Sequence, residues 1–491
     1  MKRNTFYPPS TPEEQGITSA GINDFLAWVE AESIELHGFV LKRHDHLVTE
    51  GWWKPYRPEM PHAVYSLTKS FTSIATGFAV QEGLLSVEDP VLNYFPEVKP
   101  AQSSIDMGKL RIRHLLTMTT GHDTDTARLG TTGRFMDYRA ELRIGDRTDG
   151  DEIQAFFDQP LVHEPGTHFL YNTGASYVLG VLVERVAGVC LADYLQSRLF
   201  QPLGIPRPMW EQTSEGGNIG GWGLSLRTRD VAEFGQFLLN QGQWNGKSLL
   251  LPSWIQQATS CQVNSVNISS SGEEDANIDW QQGYGYQFWQ CRHQAYRADG
   301  AFGQYCIVLP ERNAVIAIQA GLSDMQRVLD AIWTHVLPAM QDAALAPNLS
   351  SQQQLSERLA NLEVGHKTSI HESMPVTGTR RYKLEPNKQN LKCIALSLTD
   401  QSWYFEWKDD GGGTQGLSGR YEWGEARLPS GRLASVKGAW IHSSTLEICI
   451  CMPDSPHYDR IHFVFEGQII HLHYVHLNFE CIEERLKGHA T

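Results

Sequence analysis

The sequence predicts a mixed α/β (α+β) chain: an antiparallel sheet flanked by helices over residues 1–340, a linker at 341–370, and a small all-β domain, barrel or sandwich, at 371–491. Three observations predict this. Strand pairs stand near both ends of the first region, helical text broken by Gly and Pro fills its middle, and the texture changes sharply near residue 341.

Taken in order, residues 37–53, "HGFVLKRHDHLVTEGWW", read as two strands joined by a polar turn at Arg43–His46. Residues 66–82 read as a helix with Leu67, Phe71, Ile74 and Phe78 on one side and Ser66, Lys69 and Ser73 on another. Residues 303–321, "GQYCIVLPERNAVIAIQAG", are a hairpin, two apolar runs around the turn "PERN". A helix follows in "DMQRVLDAIWTHVLP", where Val328, Leu329, Ile332 and Val336 recur at helical spacing and Pro338 ends the run. Strand pairs from both ends around a helical middle predict one sheet closed by N- and C-terminal segments. Beyond a polar, Gln- and Ser-rich stretch, "CIALSLT", "WYFEWK", "TLEICICM", "RIHFVFEG" and "QIIHLHYVH" alternate with turn-rich text as short strands do.

Composition bounds the function. The chain has 491 residues, 41% hydrophobic and 10% aromatic, as a folded multi-domain protein does. A net charge of −15 argues against nucleic-acid or anionic-membrane partners, which need clustered Lys and Arg. No run approaches a membrane span, and "MKRNTFYPPSTPEEQG" has no apolar segment behind its basic residues. Eight scattered cysteines without a CxxC pair read as reduced thiols, so the expected compartment is cytoplasmic.

The chemical signal begins at "SLTK", Ser66 to Lys69. A spacing of three puts Ser66 Oγ and Lys69 Nζ on one helix face within hydrogen-bonding reach. Ser66 in the first turn meets free backbone N–H groups and the helix dipole, which favour developing negative charge. A lysine removed from water has a lowered pKa and can accept a serine proton. By itself the pair is also ordinary helix decoration.

Further segments decide between the two. "IRHLLTMTTGHD" (112–123), "EPGTHFLYNTGASYVLGVLVERVAG" (164–188), "LFQPLGI" (199–205), "GGWGLSLRTRDVAEFGQFLLNQGQWNG" (220–246) and "YRADGAFGQY" (296–305) follow in order. Together with the SxxK helix, they make residues 20–340 resemble the serine β-lactamase-like hydrolases: class C β-lactamases, DD-peptidases, family VIII esterases and 6-aminohexanoate-oligomer hydrolases. The resemblance implies a β-lactamase-like fold with an additional all-helical lobe. It implies Ser66 as acylated nucleophile, Lys69 as its partner and Tyr171 as the phenol that shuttles protons. Thr173 stands where the family's Tyr-x-Asn element has asparagine, with Asn172 beside it. The family's Lys-Thr-Gly or His-x-Gly element falls on "ADGA", Ala298 to Ala301. Its basic residue is replaced by Ala298, Arg297 would face the opposite way, and Asp299 brings a carboxylate near the cleft. Gly300 keeps the small residue, and the N–H of Ala301 would pair with that of Ser66 as oxyanion hole. Thr173, Asn172, Asp299, Gly300 and Trp222 are the expected substrate-binding residues.

Around this site "HLLTMTTG" reads as a supporting helix end, Trp52 and Trp53 as core or rim, segment 121–150 as a loop over the cleft, and 261–282 as an exposed lid. "HEPGTH" is not read as a metal site, because Pro165-Gly166 breaks the helix that would align its histidines. His471, His473 and His462 read as barrel-strand histidines rather than ligands. There is no nucleotide-binding motif, so no cofactor is expected. The expected activity is that of a serine carboxylesterase or amidase on a small-molecule ester or amide. DD-peptidase or β-lactamase activity ranks second, and from another class stands a pseudoenzyme that keeps the fold as a binding module. A homodimer is compatible with the sequence.

Overall fold

A computed structural model describes residues 10–100, 105–131, 140–144, 152–213, 216–266, 278–365, 376–409, 411, 413–477 and 482–491, with 128–131 and 140–144 described as backbone only. The expected loops at 121–150 and 261–282 fall partly on residues 132–139, 145–150 and 267–277, which lie outside this set.

The central sheet is antiparallel and six-stranded, in the order Trp289–Gln290, Tyr296–Gly300, Gln304–Leu309, Ala314–Ala320, Leu36–Arg43, His46–Trp52. Both expected hairpins are present, and the N-terminal pair joins the C-terminal three through Leu36–Arg43 against Ala314–Ala320. These two central strands are buried along their whole length, which suits the apolar text of Ala314–Ala320, while His37, Lys42 and Arg43 of the other are buried with hydrogen-bond partners. The sheet separates two cores. On one side Phe25, Leu26 and Val29 of helix Ser19–Ala31 pack with Val328, Leu329 and Ile332. On the other lies the helical lobe, with Leu115, Phe156, Val178, Leu182 and Leu199.

The helix Thr68–Gln81 is buried all round and crosses this second core, preceded by a 3₁₀ turn at Tyr65–Leu67. Phe71 stacks on Phe234 at 4.0 Å between ring centroids. Gly77 lies under Trp254, whose indole would stand 2.4 Å from any added Cβ. Most of the helix's buried hydroxyls find partners, although Ser73 Oγ has none among the described residues. Ser70 Oγ donates to Gln287 O at 2.6 Å and Thr72 Oγ1 to Gly220 O at 2.7 Å.

Helix Leu349–Ala360 lies within the stretch read as a linker and packs on helix Ser19–Ala31. The C-terminal strands form one ten-stranded antiparallel sheet that curls until its two edge strands meet, a near-closed barrel. Its interior is filled by Trp403, Phe405, Trp407, Trp440, Phe463 and Phe465. His462, His471 and His473 each pair with a carboxylate, Glu447, Glu466 and Glu483. No group of three or more His, Cys, Asp or Glu side chains among the described residues could hold a metal ion. No single helix among them is long and apolar enough to cross a membrane.

A row of buried titratable groups lines the seam between barrel and sheet. Glu35 Oε1 lies 3.3 Å from His37 Nε2, His37 Nδ1 lies 3.0 Å from His62 Nε2, and His62 Nδ1 lies 3.0 Å from Ala63 O. Three contacts need three hydrogens and two neutral imidazoles supply two, so all three form together only when Glu35 carries a proton. Arg460 of the barrel pairs with the second Glu35 oxygen. Burial outweighs Arg460 and pushes Glu35 up to about 7, and burial holds His37 and His62 well below the usual histidine range. Burial also lowers His114, His122 and His457 to about 4. Depressed imidazoles contribute stability above pH 6.5 that is lost as pH falls toward their folded values. Glu35 acts oppositely, its contribution being lost as pH rises through 7, and it is outnumbered. Thermal melts should therefore show Tm falling by about 5 °C or more between pH 7.5 and pH 5. A flat or rising Tm over that range would contradict neutral burial of these histidines.

Candidate active site

Ser66 sits in the 3₁₀ turn before the buried helix, partly exposed, while Lys69 one turn on is 1% exposed. Lys69 Nζ donates to Ser66 Oγ at 3.0 Å and to Gly221 O at 2.8 Å. Burial lowers the Lys69 ammonium to about 7, against the upward pull of Asp125 and Asp299. A group so placed is half neutral near physiological pH and aimed at a hydroxyl.

Tyr171 completes the group from the far side. Its phenol faces Ser66, whose hydroxyl acts on it, and Lys69 Nζ lies 5.1 Å from its ring centroid. Burial, then Asp299, pushes its pKa upward, so the ring is a neutral donor and acceptor. Trp289 stacks beneath it at 5.5 Å and 22°, and Tyr284 meets it edge-on at 6.3 Å. The "HLLTMTTG" turn holds this segment: Leu170 N donates to Met118 O at 2.9 Å and Asn172 N meets Met118 Sδ at 3.3 Å.

Gly300 abuts Ser66. A Cβ there would stand 2.1 Å from Val64 O and 3.1 Å from Ser66 N, so glycine is required for close approach. Ala301 follows, leaving the strand beside Ser66 and half-buried. Ala298 is buried in the core. Thr173 opens helix Thr173–Ala187; its N–H donates to Asp125 Oδ1 at 2.8 Å and its methyl faces Gly221.

Three expected substrate contacts turn out differently. Asn172 is fully buried as the helix N-cap, its Oδ1 accepting from Ala175 N, Thr126 N and Thr126 Oγ1, so it faces away from the cleft. Trp222 is 5% exposed within the core. Asp299 is not a bare carboxylate: residues two apart share a strand face, and Arg297 Nε donates to Asp299 Oδ2 at 2.9 Å. Arg297 is held further by Asp279 O at 3.0 Å and by Trp280, 4.4 Å from its guanidinium. Asp299 still acts electrostatically on Lys69 and Tyr171, but its charge is compensated before a ligand arrives.

Sequence reasoning missed Asp125, Gly221, Trp289 and Tyr284. "GGWG" was noticed as text, but that the second glycine offers its carbonyl to Lys69 depends on a contact between distant segments. Asp125 and the aromatics carry no local spacing that marks them.

With this geometry in view, comparison with known proteins is specific. The family model described as Beta-lactamase matches residues 38–354, and the chain belongs to that family. Acyltransferase calJ of Penicillium decumbens is 31% identical over 31% of this chain and 38% of that protein. The 6-aminohexanoate-dimer hydrolase of Paenarthrobacter ureafaciens is 23% identical over 66% of this chain and 87% of that protein. Lovastatin esterase of Penicillium rubens is 30% identical over 28% of this chain and 37% of that protein. The matched regions thus span well under half of calJ and of lovastatin esterase. The octameric penicillin-binding protein homologue from Pyrococcus abyssi shares the fold at a TM-score of 0.51 and 16% identity, over 95% of this chain and 99% of that one.

Two substitutions probe this architecture. Gly300→Ala pushes the strand off the nucleophile turn and should lower kcat/KM by about 10²-fold while the fold survives, measured by ester turnover and circular dichroism. Arg297→Met leaves Asp299 buried and alone, and should cost about 3–5 kcal/mol in urea denaturation; the double variant Arg297→Met/Asp299→Leu should recover much of it.

Proposed function

We propose that the protein is a serine hydrolase that cleaves an ester or amide bond of a small molecule through an acyl-enzyme on Ser66. The observation that carries this reading is the buried Lys69 ammonium, lowered to about 7 and 3.0 Å from Ser66 Oγ. In the proposed cycle neutral Lys69 takes the Ser66 proton as Oγ bonds to the substrate carbonyl carbon. The carbonyl oxygen, now an oxyanion, rests on the backbone N–H groups of Ser66 and Ala301. The bond to the leaving alcohol or amine then breaks, and Tyr171 relays the Lys69 proton to it. Water enters, loses a proton by the same route, and releases the acid and free Ser66. The hydrolase, esterase and acyltransferase names of the relatives support acyl transfer in general.

Within acyl transfer the carboxylesterase or amidase reading is preferred to DD-peptidase or β-lactamase. The apolar Ala298 and the engagement of Arg297 by Asp299, Asp279 and Trp280 leave that strand without a cation for a substrate carboxylate.

The test is turnover of p-nitrophenyl acetate, p-nitrophenyl butyrate and nitrocefin, with fluorophosphonate labelling. Ser66→Ala should abolish labelling and lower ester kcat by about 10⁴-fold or more, and Tyr171→Phe by about 10²–10⁴-fold. Nitrocefin turnover matching that of esters would reverse the ranking, and a wild type that neither turns over esters nor takes the probe would end the hydrolase reading. Because Lys69 must be neutral to accept a proton, kcat/KM should rise with pH through an inflection near 7. A profile flat from about pH 5 to 9 would remove Lys69 as base.

A further inference from the structure

The barrel reaches the nucleophile through one loop, between strands Thr445–Cys451 and Tyr458–Glu466. Ala63 N, on the strand leading to Ser66, donates to Asp454 O at 2.8 Å. Pro456 O lies 2.9 Å from where a Cβ on Gly321 would stand, close against the end of the central sheet. Arg432 pairs with the Asp454 carboxylate at 2.6 Å and steadies the loop within the barrel.

At the end of this loop His457 lies 2.9 Å from Leu477 O through Nδ1 and 2.6 Å from Tyr65 Oη through Nε2. A carbonyl oxygen only accepts, so Nδ1 carries the hydrogen; burial keeps the ring neutral, and Nε2 is then the acceptor for the Tyr65 hydroxyl. Tyr65 immediately precedes Ser66 and holds φ +47°, a left-handed conformation costly to a bulky residue. On the facing loop Phe302, immediately after Ala301, holds φ +66°. The three rings close on one another edge-on: Tyr65 to Phe302 at 5.5 Å, Phe302 to His457 at 5.4 Å, Tyr65 to His457 at 6.0 Å. Each proposed oxyanion donor is thus flanked by an aromatic residue in a left-handed conformation, and both aromatics rest on one histidine of the barrel.

We propose that His457 is a positioning residue for acyl transfer: by accepting the Tyr65 hydroxyl and packing on Phe302, the barrel holds the backbones of Ser66 and Ala301 at oxyanion-hole spacing. This rests on the reading of Ser66 as nucleophile and Ala301 as its companion donor. It makes the C-terminal barrel part of the catalytic apparatus rather than an appendage, with His457 acting through Tyr65 and Phe302 and not on the reacting atoms. A positioning role of this kind acts on the transition state and leaves ground-state binding nearly untouched, because the oxyanion exists only after attack.

The experiment uses the full chain and four variants, Tyr65→Phe, His457→Ala, His457→Gln and Tyr65→Phe/His457→Ala. Steady-state ester hydrolysis, fluorophosphonate labelling rates at Ser66 and thermal melts are read for each. Tyr65→Phe removes one hydroxyl from a partly exposed residue and is the variant least able to unfold the protein. It should lower kcat by about 10-fold or more with KM within about 2-fold, and His457→Ala by up to about 10²-fold, the size of loss that a misplaced reacting group produces. The double variant should be no worse than His457→Ala, because the two act through one hydrogen bond. His457→Gln restores an acceptor and should recover part of kcat.

A wild-type kcat and labelling rate in Tyr65→Phe would overturn the proposal, as would additive losses in the double variant. A lowered Tm in His457→Ala with unchanged kcat would also overturn it, showing that the contact only stabilises the seam. A change confined to KM would overturn it too, in favour of a substrate contact. If wild type itself neither turns over ester nor takes the probe, the hydrolase reading fails and this inference falls with it. If wild type is labelled and the variants match it, this inference fails alone.

Discussion

Everything at the site depends on one constraint: an ammonium group placed where water does not reach. Lys69 is buried in a helix that is itself buried, and the acceptors offered to its head group are Ser66 Oγ and Gly221 O. Neither carries a full negative charge, so the site does not stabilise a cation as a salt bridge would, and the proton becomes easy to lose. The surrounding structure serves that placement. Thr72 ties the helix to Gly220, the neighbour of the carbonyl that Lys69 uses, and Gln287 ties it to the "HLLTMTTG" turn through Ser70 Oγ and Leu115 O. The same turn carries Tyr171 into contact with Ser66.

The second buried cation of the cleft is handled in the opposite way. Arg297 faces a full carboxylate on its own strand, an aromatic ring and a backbone carbonyl, so it stays charged and immobile. Two buried cations thus act on Tyr171, one prepared to give up its proton and one never able to. The difference lies in the partners and not in the depth of burial. Trp289 touches both systems, stacked under Tyr171 and acting on the Asp299 carboxylate, so the two share one wall.

The barrel meets the sheet at a seam of unusual polarity. Arg460, Glu35, His37 and His62 make a buried hydrogen-bonded row that ends on Ala63 O, and Asp454 O takes the N–H of the same residue. Both polar groups of that one residue, three before Ser66, are therefore engaged. An apolar seam of equal area would hold the two parts together but would leave the register of this strand weakly specified. Directional hydrogen bonds set it.

Several features needed only the sequence. The spacing of Ser66 and Lys69 is a local fact, because any helix through them puts both side chains on one face. The two hairpins of the central sheet and the barrel strands follow from period-two patterning and turn residues, and Gly300 could be picked out as the small residue of a known element. Other features belonged to the tertiary structure, for one physical reason: they depend on what lies opposite a side chain, and opposition is set by packing between segments far apart in the chain. The alternation that turns Arg297 away from Ala298 is a local fact, but its pairing with Asp299 and the capture of Asn172 as the cap of helix Thr173–Ala187 are not. Burial itself, which brings the Lys69 ammonium down to about 7, and the reach of His457 from the barrel to Tyr65 beside Ser66 are properties of the folded chain alone.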